Sequence, residues 1–151
     1  MKNIVSYKEN HIKEIIMNYR STRNNTITKK DKIALLQGLS EDGGLFVLEN
    51  FNEKKIDLKN LLDKSYTDIA FEVLKLFFSF DESKLKSVIE KAYSKFSTSK
   101  VTPLVELKDA HVLELFHGPT SAFKDVALTL LPYLIQLALD RKSTRLNSSH
   151  E

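Results

Sequence analysis

The chain has 151 residues, 42% of them hydrophobic and 28% charged, enough for one globular core and incompatible with collagen-like, mucin-like or wholly disordered classes. It has no cysteine, which excludes a disulfide framework, a zinc ribbon and a thiol nucleophile and fits a reducing compartment. The net charge is +3, but three bases and one acid fall in Arg141–Glu151, so the preceding residues carry only +1 and their lysines alternate with acids as on a solvated surface, not a nucleic-acid footprint.

At the amino terminus, Met1 to Lys8 lacks the apolar core of a signal peptide, and no later stretch approaches the roughly 20 apolar residues of a membrane span. The expectation is a cytoplasmic protein with no membrane or nucleic-acid partner. Lys13 to Ile16 also reads as a purine-rich ribosome-binding sequence translated in frame, which makes residues 1–17 a candidate non-native leader and Met17 a candidate start.

Tyr19 to Arg23 by itself reads as a polar loop. Thr28-Lys29-Lys30-Asp31 has the spacing of a capping box ahead of a short helix through Ile33-Ala34-Leu35-Leu36, with Gly38 as its stop. Ser40 to Gly44 predicts a turn and Leu45 to Leu48 a short buried strand. Asp57 is placed to cap a helix over Leu58–Lys64, and Ile69, Ala70, Val73, Leu74, Phe77 and Phe78 make the apolar face of the next. A third helix follows Asp81, with Leu85, Val88, Ile89, Ala92, Tyr93 and Phe96 turned inward.

After Thr98 the period changes. Pro103 stops any helix, Leu104–Leu107 and Val112–Phe116 read as strands, and His117-Gly118-Pro119-Thr120 as a turn. Ala122–Leu139 predicts one helix, apolar nearly all round and therefore buried, kinked at Pro132. Beyond Asp140 the composition shifts from lysine to arginine and only Leu146 is apolar, so residues 141–151 are read as a foreign or disordered tail.

The chemistry concentrates in Leu113-Glu114-Leu115-Phe116-His117-Gly118-Pro119-Thr120-Ser121-Ala122-Phe123-Lys124-Asp125. Lys124 falls in the first turn of the expected helix, directly after a strand and a Gly-Pro turn. Burial and the positive end of the helix dipole would both favour a neutral amine there, the form that condenses with an aldehyde. A solvated, snorkelling lysine fits the same spacing. Arg20 and Arg23 are the only arginines before residue 141, and a guanidinium fork suits either a phosphate or an ion pair between domains. The remaining histidines, His11, His111 and His150, have no ligand-like spacing, and no metal site is assigned.

This lysine segment resembles the lysine motif of the threonine synthase family, pyridoxal-phosphate enzymes of the tryptophan-synthase-β fold type. Tyr19-Arg20-Ser21-Thr22-Arg23, Leu36-Gln37-Gly38-Leu39-Ser40 and Asp42-Gly43-Gly44-Leu45-Phe46-Val47 resemble that family's amino-terminal domain in the same order. The resemblance covers about Asn18 to Leu139. It implies an α/β fold: a small, mostly helical amino-terminal domain over 18–97, then over 98–140 the start of a fold-type II cofactor domain with the lysine helix. It further implies a lyase in which Lys124 holds pyridoxal 5'-phosphate and moves protons, converting O-phospho-L-homoserine and water to L-threonine and phosphate. Phe123 would wall the site. His117, Thr120 and Ser121 are candidates for substrate contact, against a hydrogen bond in the turn for the first and helix capping for the others; Arg20 and Arg23 are candidates for the substrate phosphate. Asp125 most simply complements the helix dipole.

The chain departs from the family in ending before the glycine-rich loop that cradles the cofactor phosphate; Gly38, Gly43, Gly44 and Gly118 are its only glycines. The expectation is an amino-terminal fragment, catalytically inert by itself, with its oligomeric state undetermined by sequence. The rival readings are a threonine-synthase-like phospholyase acting on a related phosphorylated amine, and a short non-catalytic binding module derived from the family.

Overall fold

A computed structural model describes residues 17–147, with side chains to Asp140. The segment read as a candidate leader lies outside the described residues except for Met17.

The first layer is a three-stranded antiparallel sheet in the order β2-β1-β3, formed by β1 (Asn18–Ser21), β2 (Thr28–Lys30) and β3 (Phe46–Leu48), with Arg20 opposite both Thr28 and Val47. Along β1 the side chains alternate, Tyr19 and Ser21 inward and Asn18 and Arg20 outward, as the two-residue period of a strand requires. This corrects the polar-loop reading for Tyr19–Ser21, while Thr22 and Arg23 do lie in the bend after the strand. An inward serine breaks the apolar alternation that marks a strand, and only a distant partner makes it tolerable there.

Thr28 is likewise a strand residue and caps nothing. Helix α1 (Asp31–Gln37) begins after Lys30, which makes no side-chain capping bond, and the Asp31 N–H is taken by the Met17 carbonyl at 2.9 Å. Asp57 caps as expected, accepting from the Lys59 N–H, but the turn it starts, Leu58–Leu61, is a 3₁₀ helix. Ser65 caps α2 (Tyr66–Leu74) and Asp81 caps α3 (Glu82–Tyr93), each accepting from a backbone N–H in the first turn.

The main core lies where α3 meets the last helix. Leu85 and Ile89 are fully enclosed, with Ala92, Tyr93 and Phe96 beside them, against Val101, Leu130, Leu134 and Ala138. Residues on both sides of position 97 therefore share one core. Met17, Tyr19, Ala34 and Leu48 form a smaller cluster between the sheet and α1.

Strands β4 (Leu104–Glu106) and β5 (His111–Leu113) make a separate antiparallel pair, with Leu104 opposite Leu113, and all six residues are exposed. The single kinked helix expected over Ala122–Leu139 is two: α4 (Asp125–Leu128) and α5 (Leu131–Asn147). The break falls at Thr129–Leu130. Pro132 is the second residue of α5, in the first turn, where its missing N–H costs no hydrogen bond, so it begins a helix and does not kink one. The apolar surface of α5 is also only partly covered: Leu134 and Ala138 are buried, whereas Leu131 and Leu139 are exposed. Its backbone runs on past Asp140 to Asn147. Among the described residues no helix is long and apolar enough to cross a membrane.

Candidate functional site

The lysine segment leaves β5 at Leu113 and is held first at His117. The imidazole is engaged at both nitrogens, Nε2 with Glu114 Oε2 at 2.6 Å and Nδ1 with Ser97 Oγ at 3.1 Å. The Ser97 N–H also donates to the His117 carbonyl at 3.0 Å. This imidazole thus ties the turn to the segment that follows α3.

The second hold is Asp125, at 4% exposure one of the few buried charged residues. Its Oδ2 accepts the Thr120 N–H at 2.7 Å and its Oδ1 the Thr120 hydroxyl at 2.6 Å. The Thr120 hydroxyl, together with the Thr120 and Ala122 amides, holds the carboxyl below the usual aspartate range. Ser121 completes the turn at φ 59°, its N–H bonded to the Gly118 carbonyl at 3.1 Å.

Lys124 stands immediately before α4, its carbonyl accepting the Ala127 and Leu128 amides at 3.1 and 2.9 Å. Its side chain is exposed, and the ammonium has no hydrogen bond or ion pair among the described residues. This corrects the expectation of a lysine buried in the first turn of a long apolar helix: the helix after it has four residues, and the lysine side faces outward. Phe123 beside it is 73% exposed, Thr120 and Ser121 are exposed, and the Phe116 ring lies 4.5 Å from the His117 ring, centroid to centroid.

Arg20 and Arg23 sit elsewhere, on an open cavity of about 530 Å³ at the end of β1 that also takes in Thr22, Asn24 and Asn25 and no residue of the lysine segment. The Arg23 guanidinium donates to the Asp42 carbonyl at 3.0 Å; that of Arg20 has no partner among the described residues. Among the described residues no cluster of three or more histidine and acidic side chains could hold a metal.

Glu114 and the gripping role of Asp125 escaped the reading from sequence. Glu114 stands three residues before His117, and Asp125 five after Thr120. Those spacings are suggestive only once the chain is known to turn back on itself.

The profile of the family described as "Threonine synthase N terminus" matches residues 18–93, half of the chain. The chain belongs to the threonine synthase amino-terminal family. It is 41% identical to threonine synthase from Schizosaccharomyces pombe, an alignment that takes in 84% of this chain and 26% of the relative. Two solved structures superpose on it: PLP-bound threonine synthase from Brucella melitensis, at TM-score 0.78 and 35% identity over 84% of this chain and 28% of that one, and threonine synthase from yeast, at TM-score 0.76 and 37% identity over 85% and 28%. The chain therefore spans 26–28% of the length of these threonine synthases. The likeness reaches well beyond residues 18–93, as the mixed helix-and-strand threonine synthase fold expected from the sequence requires.

Proposed function

We propose that this chain is the lysine-bearing amino-terminal part of a threonine synthase, a pyridoxal 5'-phosphate-dependent lyase acting in the cytoplasm on O-phospho-L-homoserine and water to give L-threonine and phosphate. Residues 18–97 are its amino-terminal domain and 98–140 the start of its catalytic domain. The observation that carries this reading is the Lys124 side chain, exposed and making no hydrogen bond or close ion pair among the described residues, on a backbone held by a tied-down Gly-Pro turn. The PLP-bound relative supports it.

The residues present suit the aldehyde end of the cofactor, since Lys124 offers a reachable amine and Phe123 an apolar ring beside it. They do not suit its phosphate. A cradle is made of glycine-rich loop backbone, but Gly118 is filled by Asp125, Gly43 and Gly44 pack against Arg23 and Ser21, and Gly38 closes α1. The cradle is assigned to the larger part of the threonine synthase length that this chain does not span.

When bound, the cofactor supplies an electron sink for carbanions. Lys124 would hold it through Nζ and would carry the protons that phosphate elimination and water addition require. His117, engaged at both ring nitrogens, and Thr120, whose amide and hydroxyl both donate to Asp125, are assigned to holding the turn and not to substrate contact. Ser121 is the hydroxyl left free to meet a ligand oxygen. Arg23 belongs to the amino-terminal sheet, and Arg20 is the guanidinium available to a phosphate.

Borohydride reduction of the complete gene product with pyridoxal phosphate should fix a pyridoxyl group on Lys124. Lys124→Ala should abolish that adduct, the visible absorbance and phosphate release from O-phospho-L-homoserine. Turnover that survives Lys124→Ala would overturn the reading, and turnover of other phosphorylated amines alone would move it to a related phospholyase.

A further inference from the structure

We propose that Asp125 is a positioning residue for the Lys124 amine, its carboxylate clamping Thr120 through the space left open at Gly118 and so fixing the backbone from which the lysine projects. The inference rests on the assignment of Lys124 as the cofactor-bearing lysine.

A carboxylate at 4% exposure needs its acceptor sites filled, and two short charge-assisted bonds from one residue, Thr120, fill one site on each oxygen. Both come from the same turn, so the carboxylate fixes the distance and the orientation of Gly118–Ser121 relative to α4. Gly118 is a glycine for the same reason. A Cβ there would lie 2.6 Å from Asp125 Oδ2 and 2.9 Å from Cγ, and would overlap the Asp125 Cβ. The turn also holds Ser121 at φ 59°, a left-handed conformation that costs a non-glycine residue about 1 kcal/mol or more and persists only where the surroundings enforce it.

Lys124 has no comparable anchor of its own. Its side chain makes no hydrogen bond among the described residues, and the segment between Thr120 and Lys124 is tied through the Ala122 amide to the same Asp125 carboxylate. From the His117 hold to the start of α4, the Asp125–Thr120 clamp is the side-chain contact that fixes the loop. An aspartate beside a lysine has a second role open to it, as a counter-charge, and the two roles separate in one substitution. In Asp125→Asn the amide oxygen can still accept the Thr120 N–H while the amide nitrogen donates to the Thr120 hydroxyl, so the clamp survives and the charge does not.

The test uses the complete gene product loaded with pyridoxal phosphate, with its folding checked by thermal melting. Asp125→Ala and Thr120→Val should still give a pyridoxyl adduct on Lys124 after borohydride. They should also change the visible circular dichroism of the bound cofactor and lower kcat roughly tenfold to a hundredfold, the scale of a small misplacement. Asp125→Asn should restore both readouts. If Asp125→Ala fails to fold, Thr120→Val and Gly118→Ala, which displaces the carboxylate without removing it, carry the test. Asp125→Asn as impaired as Asp125→Ala would replace positioning by a counter-charge role, and wild-type dichroism and kcat in Thr120→Val would overturn the clamp alone. Wild-type protein without an adduct on Lys124 would overturn the cofactor assignment and this inference with it.

Discussion

Ser21 donates its hydroxyl to the Asp42 carboxylate, 2.8 Å from one oxygen and 2.9 Å from the other, and so joins two segments twenty-one residues apart in the chain. The knot is extended by the Gly44 N–H on Asp42 Oδ1 at 2.9 Å, by the Leu45 N–H on the Thr22 hydroxyl at 3.0 Å and by the Arg23 guanidinium on the Asp42 carbonyl. The Gly44 amide, followed by the Ser21 hydroxyl, holds the Asp42 carboxyl below its usual range.

This knot has no room for a side chain at Gly44. A Cβ there would meet the backbone nitrogen of Arg23 at 3.1 Å and Asp42 Oδ1 at 3.0 Å, and would overlap the Ser21 hydroxyl. Gly44→Ala should therefore cost about 1–3 kcal/mol by overpacking against groups that cannot all move aside, read as a lower midpoint in urea. A midpoint equal to wild type would show the turn to be slack.

Tyr19 links the sheet to the turn after α2, its hydroxyl donating to the Phe77 carbonyl at 2.7 Å. Burial first, and the Asp31 charge second, push its pKa up to about 12 from the ordinary 10.0. Because the folded state holds this proton more tightly than the unfolded state, the stabilisation is complete below pH 10.0 and is lost as pH rises through about 12. The melting temperature should fall across that window, and Tyr19→Phe should flatten the fall. An equally steep decline in the variant would assign the alkaline transition to other groups.

Asp31 is a second buried carboxylate that joins distant segments. It accepts the Ser79 N–H at 2.6 Å, the Ser79 hydroxyl at 2.7 Å and the Lys32 N–H at 2.8 Å. Asp31→Ala strips the half-buried Ser79 amide of its acceptor and should cost about 1 kcal/mol. Amide hydrogen exchange should locate the damage, with protection falling at Ser79 first; loss spread evenly over the chain would argue against a local clamp.

Core and surface leucines should differ sharply. Leu85 is at 0% exposure, and Leu85→Ala should cost about 2–5 kcal/mol, whereas Leu58, at 70%, should lose no more than about 0.5 kcal/mol as Leu58→Ala. Paired denaturant titrations test the contrast, and similar losses at the two sites would contradict the placement of the core between α3 and α5.

The β4–β5 pair presents Leu104 at 60% and Leu113 at 55% exposure, directly opposite each other on an uncovered two-stranded sheet. Exposed apolar strands with open edges invite self-association. The double variant Leu104→Glu, Leu113→Lys should raise the concentration at which the chain stays monomeric in sedimentation without lowering its melting temperature. A wild-type chain already monodisperse at that concentration would remove the premise.

The sequence by itself determined what depends on neighbours close along the chain. The inward face of α3, the cap at Asp57, the helix after Asp81 and the turn ahead of Lys124 follow from periodicity and local hydrogen bonding and reappear in the structure, as do the two short strands, although the second covers His111–Leu113 and not Val112–Phe116. The family, too, was legible, because its motifs are contiguous runs. Tertiary structure decided the rest. Strand β1 has a serine as an inward residue, and the distant Asp42 carboxylate that takes its proton makes that placement favourable. The helix after Lys124 stops within four residues, because the chain turns at Thr129–Leu130 to lay α5 against α3, so the lysine faces outward instead of into an apolar layer. Asp125 looked like a helix-dipole partner until the fold brought Thr120 to both of its oxygens. Hydrophobic period and capping act over a turn or two of chain, whereas a buried polar group is placed by whichever partner the finished fold carries to it.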